Sequence, residues 1–185
     1  IKIEPYMSPL IDIAPTLTFS SIPDWQFIGN LYRDLTANKF KYDYLLKEIV
    51  DEILNGKENA SQLEKAKLFY EYILKNFTYS NVPFMQNNFI PQKASRTLST
   101  RLGDCKDVST LFVAMCRKVG INANLVLIIT RDHGRNSLIL PANRFNHCIA
   151  QLKVDNKTYY LELTDNKLAF GSALEGDLHS HILPI

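Results

Sequence analysis

The sequence predicts an α+β fold. Three observations predict it. Apolar residues recur at helical spacing twice, as Leu63, Ala66, Phe69, Tyr70, Ile73 and Phe77, and as Val108, Leu111, Phe112, Met115, Cys116 and Val119. Strand-like runs come later in the chain, over Asn122–Ile129, His147–Val154 and Thr158–Leu163. The order is an arm, then helices, then helix and sheet, which does not fit alternating βαβ units.

Each element has its own local signal. Residues 1–21 carry Pro5, Pro9 and Pro15 among β-branched residues and read as an extended arm with little helix. The compact domain then runs over 22–185. Helix is expected within Asp34–Asn55, firmly from Tyr42 to Leu54, with Gly56 as its stop. Ser61 and Glu64 form an S-x-x-E capping box that starts the next helix. Tyr79–Leu98 reads as loop, with Pro83, Pro91 and a polar Gln86-Asn87-Asn88 stretch. The helix after Gly103 closes on Gly120. Thr130–Phe145 is a polar loop, and the last two strands form a hairpin around Asp155-Asn156-Lys157.

Composition bounds the function. The chain has 185 residues, 46% of them hydrophobic and 22% charged, enough for one real core. A net charge of +2 gives no footprint for nucleic acid or an anionic membrane. The longest apolar run, Ala123–Ile129, contains Asn124 and is far short of the ~20 residues a spanning helix needs. No signal peptide is visible at the N-terminus. The first residue is Ile1 rather than Met, so the chain is expected to be a piece of a longer protein.

Three cysteines, with no CxxC, make neither a disulfide framework nor a zinc ribbon. Cys105 sits in Gly103-Asp104-Cys105-Lys106-Asp107 at a helix start, where unpaired N–H groups and the positive dipole end favour thiolate over thiol. Asp104 reads as a helix cap, and Cys105 is either a buried filler or a nucleophile. Cys116 lies about 16 Å farther along the same helix face by helical rise, within the apolar stripe, and reads as core. His147 opens a strand and is a candidate base; Cys148 points to the opposite face and reads as core.

The hairpin offers the third group. With a two-residue Asp155-Asn156 turn, Ile149 opposes Glu162, and Glu162 shares the His147 face one diagonal step away. With a three-residue turn, His147 opposes Asp165 instead. Cys105, His147 and either Glu162 or Asp165 are therefore the candidate nucleophile, base and orienting acid, with the Cys105 N–H as a candidate oxyanion donor. His179 and His181 form an H-x-H without a second ligand pair, so no metal site and no cofactor are expected. Lys93, Arg96, Arg101 and Lys106 read as a basic cluster, either a solvated face or one that tunes the thiol. The loop around Gly134 reads as a candidate lip over the site.

Thr97-Leu98-Ser99-Thr100-Arg101-Leu102-Gly103-Asp104-Cys105-Lys106-Asp107, then Phe145-Asn146-His147, then Tyr159-Tyr160-Leu161-Glu162-Leu163-Thr164, resemble the transglutaminase-like superfamily, in particular its bacterial GDCKD branch. The resemblance spans roughly Trp25–Asp165. It implies a papain-like α+β fold, the catalytic helix packed against an antiparallel β-sheet, with Cys105 as nucleophile and His147 as base. Glu162 takes the slot of the family's Asp, and Leu163 replaces its Pro. It further implies a cysteine-dependent acyl-transfer enzyme that hydrolyses amide bonds of a peptide or protein substrate. Protein crosslinking, or a non-catalytic peptide- or glycan-binding module, are the alternatives. Flanking β domains and a periplasmic or extracellular location are implied by the same resemblance.

Overall fold

The computed structural model describes residues 7–80, 89–135 and 137–185. The arm contains one helical turn, α1 (Leu10–Ile13), where the prolines predict none. Pro9 stands at its N-cap with φ −51°, a value that suits the start of a helix. The turn is held by tertiary contact. The Arg135 N–H donates to Asp12 at 2.9 Å, and Ile11 packs directly on Gly134, at φ +93°, leaving no room for a Cβ.

A helix that the sequence does not lead one to expect comes next. α2 (Trp25–Thr36) starts on Asp24, which accepts the Phe27 N–H, and α3 (Tyr44–Leu54) starts on Asp43, which accepts the Leu46 N–H. The expected helix over Asp34–Asn55 is thus confined to α3, and residues 37–43 are not helical. α4 (Gln62–Asn76) follows, with the Ser61–Glu64 capping box formed in both directions.

A short strand, β1 (Thr78–Tyr79), leaves α4 and pairs in parallel with β2 (Leu102–Gly103). Between them lies α5 (Ala94–Thr100), a helix within the stretch that reads as loop. Its residues Ser95, Thr97, Ser99 and Thr100 are poor helix formers, but Ala94, Thr97 and Leu98 are buried, so packing overrides propensity. Pro83 and Gln86-Asn87-Asn88 lie outside the described residues.

α6 (Cys105–Lys118) is the centre of the domain. The sequence pattern suggests a striped helix, yet every residue from Cys105 to Cys116 is buried. The sheet covers one side of it and α4 and α5 the other, so Ser109 and Thr110 are buried along with Leu111 and Phe112. Each large apolar side chain so enclosed contributes roughly 1.5–3 kcal/mol. Gly120, at φ +75°, follows the last turn and lets the Ile121 N–H return to the Cys116 carbonyl.

The sheet is antiparallel throughout, in the order β5-β4-β3-β6. Its strands are β3 (Asn122–Ile129), β4 (His147–Val154), β5 (Lys157–Leu161) and β6 (His181–Pro184). Leu125, Leu127, Cys148, Ala150 and Leu152 join the main core, while Val126, Ile128 and Ile149 form a small separate cluster. Alternate residues of β3 and β4 thus fall into different clusters, as the two faces of a sheet require. The hairpin turn has two residues, with Val154 paired to Lys157 and both Asp155 (φ 52°) and Asn156 (φ 59°) left-handed, a type I′ turn. That register is the one that places Glu162 rather than Asp165 on the His147 face. No helix among the described residues is long and apolar enough to cross a membrane.

Candidate active site

The GDCKD segment forms a rigid helix start. Asp104 caps α6 by accepting the Lys106 and Asp107 N–H groups, and the Asp107 carboxylate returns to the Asp104 N–H at 3.2 Å. Asp107 also takes the backbone N–H of Gln92 at 2.7 Å and its side-chain amide at 2.9 Å. Lys106 is buried and its ammonium meets the Asp104 carboxylate. Burial raises the Asp104 carboxyl above its ordinary range, against the opposing pull of Lys106. Gly103 is required by space: a Cβ there would lie 2.8 Å from the Asp107 Cβ and 3.1 Å from Thr97 Cγ2. Hydrogen bonds from Thr78 and Ser80 to the carbonyls of Arg101 and Gly103 tie this segment to the end of α4.

Cys105 is the first residue of α6, so its own N–H has no partner one turn back within the helix. It is 3% exposed, but its surroundings are polar. It lies close enough to act on the His147 ring and on the phenol of Tyr79. Burial, then Cys105, Asp104 and Glu162, push the Tyr79 phenol well up. Cys116 and Cys148 differ from it. Burial in the core alone raises the Cys116 thiol, and burial leads the rise at Cys148.

His147 opens β4 opposite Ile128. Its Nε2 lies 2.6 Å from Glu162 Oε2, which leaves Nδ1 for the Cys105 thiol. Burial opposes charge on the ring, but the bonds to Cys105 and Glu162 outweigh it and carry its pKa up to about 11. Glu162, 1% exposed, also accepts the N–H groups of Leu163 and Thr164, both at 2.8 Å. Burial pushes its carboxyl up, and the bonded His147 cation, with the side chains of Thr164 and Asp177, pulls it down to about 2. The structure thus gathers Cys105, His147 and Glu162. Asp165 stands apart from the ring and accepts the Lys167 N–H at 2.9 Å, because the hairpin turn has two residues and not three.

A fourth group is present that no sequence pattern marks. Asp177, in the short turn Glu175–Asp177, has its Oδ1 4.0 Å from His147 Nε2. His147, Glu162 and Asp177 place one ligand-type atom each within 4.8 Å of one another, a donor set suited to a divalent cation. The 2.6 Å contact decides against that use in this geometry. A tetrahedral zinc would hold its ligand atoms about 3.3 Å apart, so the pair reads as a charge-assisted hydrogen bond. His179, at φ 60°, precedes β6 and is not on a strand, and His181 Nε2 lies 2.8 Å from the Arg135 carbonyl. The H-x-H is therefore not a ligand pair.

The basic cluster is dispersed. Lys106 is buried against Asp104, Arg101 lies over the Tyr72 and Phe77 rings, and Lys93 and Arg96 are exposed. The loop around Gly134 is fastened by Asp12 at one end and by the Arg131–Glu175 ion pair at 2.7 Å. A cavity of about 430 Å³ opens beside the site, lined by Phe77, Tyr79, Val108, Leu163, Asp165 and Leu174 among others. Val108 is one turn from Cys105 and Leu163 adjoins Glu162.

A buried helix with a thiol at its start, facing an imidazole and a carboxylate on an antiparallel sheet, is the papain-like α+β arrangement. The family model of the transglutaminase-like superfamily matches residues 47–161, and the chain belongs to that superfamily. Among solved structures it is similar to a proposed protease from Parabacteroides distasonis ATCC 8503, at 15% identity and a TM-score of 0.58 over 85% of this chain and 32% of that one. It is also similar to a proposed cysteine protease from Cytophaga hutchinsonii, at 20% identity and a TM-score of 0.51 over 84% of this chain and 51% of that one. At such identities the likeness is one of fold, and the chain spans about a third and about half of those two proteins. No curated protein matches the sequence.

Proposed function

We propose that this domain is a cysteine-dependent acyl-transfer enzyme that hydrolyses amide bonds of a peptide or protein. The observation that carries the reading is the His147 ring, bonded through Nε2 to Glu162 at 2.6 Å and within electrostatic reach of Cys105 at the start of α6. Glu162 holds the ring and favours its cation, and the cation favours the Cys105 thiolate. The thiolate adds to the substrate carbonyl carbon, with the Cys105 N–H directed at the developing oxyanion. The tetrahedral intermediate collapses as the C–N bond breaks, and His147 gives its proton to the departing amine. Water then attacks the thioester, His147 takes its proton, and the carboxylic acid leaves while the thiol is restored. The likeness to two proposed proteases supports hydrolysis over crosslinking. The 2.6 Å contact between Glu162 and the ring supports the catalytic reading over a non-catalytic binding module.

The test is acyl trapping with p-nitrophenyl acetate. The reading predicts a burst of one equivalent of p-nitrophenolate, an acetyl mass on the Cys105 peptide, and slow loss of that mass to water. A burst unchanged in Cys105→Ala would overturn it.

A further inference from the structure

Asp177 stands where electrostatics alone would not put it. Its side chain is 4% exposed, its Oδ2 is buried without a hydrogen-bond partner, and it shares a small volume with the Glu162 carboxyl. Two buried carboxyls at such distance repel when both are ionised, and burial disfavours either charge. The compensating group is His147, 4.0 Å from Asp177 Oδ1. The placement is not slack. The Asp177 N–H donates to the Leu174 carbonyl at 3.0 Å, Ser180 Oγ to the Gly176 carbonyl at 2.9 Å, and Glu175 pairs with Arg131 at 2.7 Å.

We propose that Asp177 is a positioning residue of the site, whose carboxyl keeps Glu162 set against His147 when protonated and adds a second negative charge to the imidazolium when ionised. The proposal rests on the reading of Cys105 and His147 given above. Glu162 is the first acid and contacts the ring; Asp177 acts through it and through the field at Nε2. Since the thiol sits on the Nδ1 side, the added charge lies nearer the positive end of the thiolate–imidazolium pair and favours that pair over its neutral form. The C-terminal segment therefore completes the site. The charged side chains acting on Asp177 are His147 of β4 and Glu162 after β5; Cys105 of α6 acts on His147, Tyr79 of β1 and Tyr70 of α4 feel Glu162, with Asp104 and Asp165 respectively, and Glu175 on the same turn pairs with Arg131.

Burial, then the neighbouring Glu162 charge, raise the Asp177 carboxyl to about 6, with His147 opposing, so its ionisation falls within a measurable range. The experiment is the rate of Cys105 alkylation by iodoacetamide from pH 5 to 7.5, with peptide mapping, in the whole chain and in its Asp177→Asn form. The proposal predicts a rise of about three- to tenfold with a midpoint near 6 in the parent, absent in Asp177→Asn. Selective, His147-dependent labelling of Cys105 with superimposable profiles in the two proteins would overturn the role of Asp177 and leave the proposed function standing. If labelling is not selective, the proposed function fails instead, and the His147 ring proton resonances decide on Asp177. They must shift with a midpoint near 6 in the parent and not in Asp177→Asn. A parent protein with no such inflection overturns the proposal even where the variant does not fold.

Discussion

His147 and Glu162 lie one diagonal step apart on the β4–β5 hairpin, and their facing atoms, Nε2 and Oε2, are 2.6 Å apart. The two-residue turn sets this meeting, since a one-residue slip would send Glu162 to the other face of the sheet. A carboxylate so close holds the ring in one orientation and favours its protonated form.

Glu162→Gln keeps the shape and removes the charge. The alkylation rate of Cys105 at pH 7 is expected to fall by about tenfold to a hundredfold. Glu162→Asp withdraws the carboxylate by one methylene and is expected to lower the rate as well. A rate raised by the Asp variant would show that the longer acid is not the one holding the ring.

Stability should follow pH in a way these groups define. The Glu162 pKa is depressed to about 2, so its contribution is whole above its ordinary 4.5 and is lost as pH falls toward 2. The His147 pKa is raised to about 11, so its contribution is whole below its ordinary 6.5 and declines as pH rises through 11. Asp177 has the reverse sign for an acid: its folded pKa near 6 exceeds the unfolded 3.8, so stability is lost as pH climbs between the two. Asp177→Asn should therefore match the parent in urea midpoint near pH 4 and exceed it above pH 6. A variant less stable at pH 7.5 would contradict this assignment.

The buried Asp104–Lys106 pair makes a second prediction. Asp104→Ala removes the cap of α6 and the carboxylate that the buried Lys106 ammonium meets. Its cost is expected to be about 3–5 kcal/mol, read from denaturant unfolding. A cost below about 1 kcal/mol would contradict a stabilising role for this pair and cap.

Gly103 is fixed by crowding. Gly103→Ala sets a methyl against Asp107 and Thr97, and should destabilise by about 1–3 kcal/mol while slowing Cys105 alkylation. Wild-type stability in this variant would show that the turn before Cys105 can widen freely.

Parts of this architecture could be read from local chemistry. The Ser61–Glu64 box, the stripe from Val108 to Cys116 and the run Asn122–Ile129 each announce their element through neighbours in sequence. The hairpin register carried Glu162 to His147 because β-pairing is arithmetic once the turn is known. α5 was not legible, since Thr97, Ser99 and Thr100 are helical only under the packing of Ala94 and Leu98. α2 was missed, although Asp24 stands before Trp25 as a helix cap and accepts the Phe27 N–H. Asp177 gave no signal at all: it reaches the site through an irregular segment ahead of β6, and only tertiary structure places it beside His147.

The most direct measurement is competitive labelling of the folded protein with a limiting thiol electrophile at pH 7, followed by peptide mapping of Cys105, Cys116 and Cys148. The account predicts that Cys105 is labelled at least about a hundredfold faster than the other two, and that His147→Ala removes the difference. Equal labelling of all three cysteines, or a fast Cys105 indifferent to His147, would contradict it.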